Sequence, residues 1–464
     1  MTTIDDRSDA RETADPRGAV ARAADLESIR ESIRESWLPV GLWGAIVGAG
    51  VVALLATGNL VSIATTAPPL HGVWDFRPGL SALPALVSAV ALVTVWPRAC
   101  ATLRWRLVVI GSTGVALAWG ISLALVDGLR GLVGPAENPH EYLAAVRGLG
   151  SPARFLPGFV HAIGRAPVHV QGHPPGYPLV VWGIDRIGLG AWGVTVVQVV
   201  GGALAVPAVL VAVRAVAGAH FARCAAPFVA VSPAAIWMVS SADAAFAGVG
   251  AWAVAAVVLA CVASRGRRRD ALAIAGGVLL GVAAFLSYGL AVLAVVPLGV
   301  AWSRRAVRPL VLATGGAAAV MLLFAAAGFW WFDGLAATRQ YYVSGVASRR
   351  PYEAFVIANL AALAIATGPA VTAGLARLRH RRDHEGGGER VAWLVGGALA
   401  AIALADLSGM SKGEVERIWL PFAVWLLPAA GSLAVPRGTR AIQRWLAVQC
   451  ACGLLVQVAV RTPW

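Results

Sequence analysis

Between Asp127 and Pro175 an otherwise apolar chain turns polar, and the stretch runs on into His169-Val-Gln-Gly-His173-Pro-Pro-Gly-Tyr177-Pro. It gathers the residue types that move protons. Asp127 ends an apolar run, and Glu137, His140 and Glu141 follow closely. A carboxylate held just above a membrane can take the proton of a hydroxyl nucleophile. Asp127 capping a helix end, with Glu141 merely solvated, is the competing reading. His140, His161, His169 and His173 raise the question of a metal, but their spacing matches no standard zinc site. No metal is assigned; a divalent cation is admitted, not required. His173 stands before Pro-Pro-Gly, a rigid turn that suits a hydrogen-bonding side chain.

Two more polar stretches supply cations. Residues 332–352 carry Arg339, Tyr341, Tyr342, Arg349 and Arg350; residues 409–417 carry Lys412, Glu414, Glu416 and Arg417. Such loops suit an anionic ligand, for example a phosphate at the lipid headgroup. Ordinary headgroup anchoring competes with that reading. Asp243, after Ser240-Ser-Ala, opens an apolar run and is either a helix N-cap or a site residue.

The elements that must position these residues are membrane helices. Of 464 residues 58% are hydrophobic and 13% charged, too apolar for a soluble domain. Thirteen apolar runs are each long enough to cross about 30 Å of hydrocarbon. They lie near 38–60, 79–96, 107–127, 191–214, 222–239, 244–264, 271–286, 288–303, 309–331, 353–376, 391–409, 418–434 and 441–460. The expected fold is therefore all-α and polytopic, with about 13 spans.

The formal charge of +14 sits mostly in short arginine clusters, around 98–106, 265–269, 304–308, 377–382 and 437–444. Such clusters are topology signals and no continuous basic face, so nucleic acid is not an expected partner. With thirteen spans all five fall on one side, the cytoplasmic one with the N-terminus. Loops 62–78, 127–190, 332–352 and 409–417 then face outward from a cell membrane. The segment Tyr177 to Leu189 carries Asp185 and Arg186, which a spanning helix would have to bury. It is expected as an interfacial or re-entrant helix.

Residues 1–37 form a polar tail, first disordered in composition and then amphipathic from Ala23 to Trp37. The five cysteines show no CxxC spacing and read as small apolar helix residues. Arginine supplies every basic residue except Lys412, a bias in keeping with a GC-rich bacterial genome.

Together these residues resemble the GT-C superfamily of integral-membrane glycosyltransferases, of an actinobacterial-like kind. The matching pieces are Asp127, Glu137-Asn-Pro-His-Glu141-Tyr142, His173-Pro-Pro-Gly-Tyr177-Pro, a run ending Val231-Ser-Pro, and Asp243. They make 107–305 the GT-C-like module, after two additional spans in 38–106 and before variable spans in 306–464. The resemblance implies a polyprenyl-phosphate sugar donor, an envelope glycan, lipid or protein as acceptor, and an outward active site in the bilayer surface. It implies inversion at the sugar carbon, with Glu141 or Asp127 as general base; Glu141 is slightly favoured by the Tyr142 beside it. Substrate contacts would come from His169, His173, Tyr177, Asp243, Arg349, Arg350, Lys412, Glu414 and Arg417. The loop lacks a paired Asp-Asp or Asp-Glu. The alternatives are a transporter or flippase for a lipid-linked or anionic solute, and a non-catalytic membrane partner.

Overall fold

A computed structural model describes residues 38–147, 149–380, 387–434 and 438–464. The amphipathic stretch expected at 23–37 lies outside them. Among the described residues, nine helices are long and apolar enough to cross a membrane. They are Leu38–Leu55, Leu80–Thr102, Trp105–Asp127, Gly190–Ala217, Ala242–Val262, Arg267–Leu286, Val307–Ala326, Gly388–Leu407 and Gly438–Ala459. A tenth span is formed if Tyr352–Thr367 and Pro369–Leu378, bent by 101° at Gly368, count together.

The expected count of 13 is therefore not reproduced, although each apolar run is helical. Four runs are broken. Residues 222–239 form Ala219–Ala230 and a 3-10 turn at Pro233–Ile236. Residues 288–303 and 418–434 are short and largely 3-10. The physical reason is local: Pro227, Pro233, Pro297, Pro421 and Pro428 remove backbone donors and Gly368 takes a positive φ. Hydropathy counts these runs as apolar but does not see the breaks.

Burial separates centre from rim. The most apolar stretch of Ala242–Val262 is 78% buried, against 11% for Leu38–Leu55 and 22% for Val307–Ala326. Gly190–Ala217 and Arg267–Leu286 pack on the central helix. A Cβ on Gly248 would meet the Gly201 carbonyl oxygen at 2.1 Å, so the two backbones touch only because the residue is glycine. On the rim, Leu86, Val87, Val90, Val311, Leu322 and Leu323 are exposed. With no hydrophobic gain between helices in lipid, such side chains are left to the acyl chains.

The molecule has two chemically different ends. At one end Arg308 pairs with Asp270 at 2.7 Å, Arg223 donates to the Cys100 carbonyl at 2.7 Å, and Gln443 donates to the Thr94 carbonyl. Residues 94–105, 214–223, 265–270 and 304–308 therefore gather there. The other end carries 62–78, 127–190, 332–352 and 409–417. The 127–190 stretch is folded into short helices: Arg130–Glu137, Tyr142–Val146, Pro152–Ala162, Val168–Gln171 and Gly176–Arg186. The last of these is the short helix expected over 177–189.

Candidate active site

Glu141 stands at the N-terminus of Tyr142–Val146, in extended conformation. Its carboxylate turns inward and is 12% exposed. His169 Nδ1 lies 3.0 Å from Glu141 Oε1. An ionised carboxylate only accepts, so Nδ1 donates. Among the described residues the one polar contact of this carboxylate is through Oε1, and none is drawn to Oε2. His173 Nδ1 in turn donates to the His169 carbonyl at 2.7 Å. Tyr142 packs edge-on against His173, His169 and Tyr177, and Tyr177 meets Phe246 of the central helix. The Tyr177 hydroxyl accepts from Gln198 Nε2 at 3.5 Å. The rigid Pro174-Pro175 turn thus sets His173 and Tyr177 against the bundle while Val168–Gln171 presents His169 to Glu141.

Arg417 is the second centre. It is buried, with Nη1 donating to Asp243 Oδ2 at 2.6 Å and Nη2 to Glu414 Oε2 at 2.8 Å. Arg350 reaches the same Glu414 at 3.5 Å and donates to the carbonyls of Ile63 and Lys412. Glu414 holds a left-handed backbone, φ 62°, which costs roughly 1–2 kcal/mol for a residue with a Cβ. The two ion pairs hold it there. Asn359 pins the rest of the loop, donating to Asp406 and the Ser411 carbonyl and accepting from Gly413 N–H. Lys412 Nζ donates to the Ala347 carbonyl.

Electrostatics follow from this wiring. Burial pushes the Glu141 carboxyl up, but the His169 hydrogen bond and the nearby Arg417 charge outweigh it and hold it below the ordinary 4.5. Burial also works against Glu414, yet Arg417, His71 and Arg350 bring it down to about 2. Glu416 is different. Burial pushes it up to about 7, since only the His71 backbone N–H reaches Oε1 and Oε2 has no partner among the described residues. Burial lowers His173 to about 4, which leaves it neutral at pH 7.

Nine of the eleven residues picked from the sequence fall near these two centres: Glu141, His169, His173, Tyr177, Asp243, Arg350, Lys412, Glu414 and Arg417. Two do not. Asp127 is held by Arg77 and, at 2.9 Å, by Gln457 Nε2. Arg349 is exposed and has no partner among the described residues. The capping alternative for Asp243 fails, because Ser241 is the N-cap and the Asp243 side chain pairs with Arg417. Solvation of Glu141 fails for the same kind of reason: the residue is buried.

Sequence reasoning missed His71, Glu416 and Trp464. His71 stacks on Trp464 at 5.2 Å between ring centres, and the Arg417 guanidinium lies 4.0 Å from the Trp464 ring. No motif marks these residues, which come from distant parts of the chain; Glu416 was visible only as part of a charged loop. No group of three or more His, Cys, Asp or Glu among the described residues could hold a metal ion.

No family model matches the chain, and no curated protein matches it. Solved structures do. The apo form of ArnT from Cupriavidus metallidurans is 17% identical, with a TM-score of 0.39, covering 61% of this chain and 55% of that one. The same protein bound to undecaprenyl phosphate gives 16%, 0.39, 65% and 59%. The Archaeoglobus fulgidus oligosaccharyltransferase, in complex with Zn and sulfate, gives 16%, 0.43, 63% and 45%. The chain spans about half the length of each.

Proposed function

We propose that this protein is a membrane glycosyltransferase that moves a sugar from a polyprenyl-phosphate donor to a hydroxyl of a cell-envelope glycan, lipid or protein. The observation that carries the reading is the Glu141–His169 pair: a buried carboxylate, oriented through one oxygen and free at the other, beside the Arg417 centre. In this scheme Glu141 Oε2 takes the acceptor proton as the acceptor oxygen bonds to the sugar C1. The bond from C1 to the phosphate oxygen breaks, and the electron pair leaves with the polyprenyl phosphate. Attack opposite the leaving group inverts the carbon. His169 keeps the carboxylate aimed and ionised.

The charge balance sorts the cations. Arg417 and Arg350 are already met by Asp243 and Glu414. Lys412, bonded only to a carbonyl, and exposed Arg349 keep uncompensated charge. These two are proposed to receive the donor phosphate, while Arg417 organises the site. The arginine bias supports an extracytoplasmic site at the cell membrane, opposite the arginine-rich end.

The test is sugar transfer by the purified protein in lipid. Polyprenyl-phosphate mannose, glucose and arabinose would be offered with an envelope extract, comparing wild type and Glu141→Gln. Transfer by the wild type alone supports the reading; equal turnover by both removes Glu141 as base. Four broken apolar runs favour the transporter as a second reading, since broken helices line many transport paths. Lipid flipping by a protein that transfers no sugar would select it.

A further inference from the structure

Asp127 is the carboxylate that the sequence offers as a base and the structure puts to other use. Arg77, which it binds, also donates from Nη2 to the carbonyls of Gln457 at 2.6 Å and Val460 at 2.7 Å. Gln457 closes the loop by donating to Asp127 Oδ2 at 2.9 Å. Around this clamp the 73–77 segment runs beside 458–461. Val73 pairs with Arg461 and Trp74 with Val460, and the Asp75 and Arg77 N–H groups donate to the Ala459 and Val458 carbonyls. Arg461 adds an ion pair to Asp75 at 2.7 Å.

The segment so fastened delivers Trp464 to the site. Its ring lies 4.0 Å from the Arg417 guanidinium, stacks on His71, and stands 6.2 Å from the ring of His169, the partner of Glu141. The indole Nε1 is buried and has no hydrogen-bond partner among the described residues. Arg417, 5% exposed, likewise has an unpartnered Nε. Two donors without acceptors, on stacked groups beside the base, are costly unless an oxygen-rich ligand satisfies them. An indole next to carboxylates offers a sugar what it needs: a flat apolar face for C–H groups and an N–H for a hydroxyl.

We infer that Trp464 is a sugar-binding residue of the donor site, and that Asp127 and Arg77 are positioning residues that act through it. This rests on the glycosyltransferase reading above. The prediction concerns donor binding rather than chemistry. Trp464→Ala raises the donor KM about tenfold or more and changes kcat by less than about threefold. Trp464→Phe, which keeps the ring and loses the N–H, falls between. Asp127→Asn raises donor KM in the same direction, and in a Trp464→Ala background it adds nothing.

The experiment is steady-state kinetics of these four proteins and the wild type with the polyprenyl-phosphate mannose, glucose and arabinose donors, with Glu141→Gln alongside. A raised donor KM in Trp464→Ala, with no further rise in the double variant, supports the inference. Multiplying effects of Asp127→Asn and Trp464→Ala overturn the positioning role. An unchanged donor KM in a folded Trp464→Ala, with Glu141→Gln inactive, overturns the sugar contact and leaves the enzyme reading standing. Absence of transfer by the wild type from all three donors overturns both.

Discussion

Glu141 and His169, 28 positions apart in the chain, meet through a single 3.0 Å contact that leaves one carboxylate oxygen uncommitted. A base needs that arrangement: one oxygen held for aim, the other available for the proton. Loss of the carboxylate in Glu141→Gln keeps shape and removes basicity. Transfer is expected to fall at least about a hundredfold, the usual scale for a general base, with the melting temperature little changed. Near-wild-type turnover would sink the assignment.

The same pair predicts a pH response. A general base works when ionised, and Glu141 is held below 4.5 against its own burial. The acid limb of kcat/KM is therefore expected below pH 4.5. In His169→Ala burial acts with less opposition, so the limb should move to higher pH. A limb that stays in place, or moves down, contradicts the wiring; the check is a pH–rate profile of both proteins.

Arg417 is expected to matter for folding before it matters for binding. Removing it leaves Asp243 charged and buried without its partner, and takes from half-buried Glu414 the nearer of its two arginines. Stranding one side of a buried ion pair costs about 3–5 kcal/mol. Arg417→Met should therefore melt well below the wild type in detergent, whereas exposed Arg349→Ala should melt with it and show only a raised donor KM. Equal melting of Arg417→Met and wild type would refute the first half, and an unchanged KM in Arg349→Ala the second.

Glu416 gives a stability signature of the opposite sign to most carboxylates. Its pKa is about 7 in the fold, above the ordinary 4.5, so the folded state holds a proton that the unfolded state has lost. Stability from this group is intact below about pH 4.5 and declines as pH rises through 7, by an amount on the order of 3 kcal/mol. Glu414, held at about 2, loses its contribution as pH falls from about 4.5 towards 2 and leaves the range above pH 5 flat. Thermal melts of wild type and Glu416→Gln between pH 5 and 8 should diverge, with the variant the more stable at pH 8. Parallel curves would show that the carboxyl is ionised throughout.

The break at Gly368 carries its own prediction. Its φ is +83°, and a Cβ there would lie 2.0 Å from Gln449 Oε1, while Gln449 bonds the Thr367 carbonyl and the Ala370 N–H across the bend. Gln449→Leu leaves both backbone groups unsatisfied in an apolar interior, at about 1–3 kcal/mol each. A lowered melting temperature is expected, with kcat unchanged if the protein remains folded at the assay temperature. A variant as stable as the wild type would mean that the bend holds without its cap.

The sequence by itself determined that this is a bundle of apolar helices with arginines gathered at one end. Both signals are local: run length against bilayer thickness, and charge between runs. It also pointed to 127–190 and 409–417 as places where polar side chains gather, because polar residues in so apolar a chain stand out. It did not determine how many runs stay unbroken, since Pro and Gly end a helix without lowering hydropathy enough to end a run. Nor could it choose between Asp127 and Glu141. Asp127 ends a span and Glu141 adjoins Tyr142, which favours Glu141 only slightly; in the fold their partners differ, Arg77 and Gln457 for one and His169 for the other. Only the tertiary structure brings Trp464 to Arg417 and joins Asp243 to a residue 174 positions away. Burial and ion pairing depend on which loops meet at the end of the bundle, and that is fixed by helix packing far from the residues it positions.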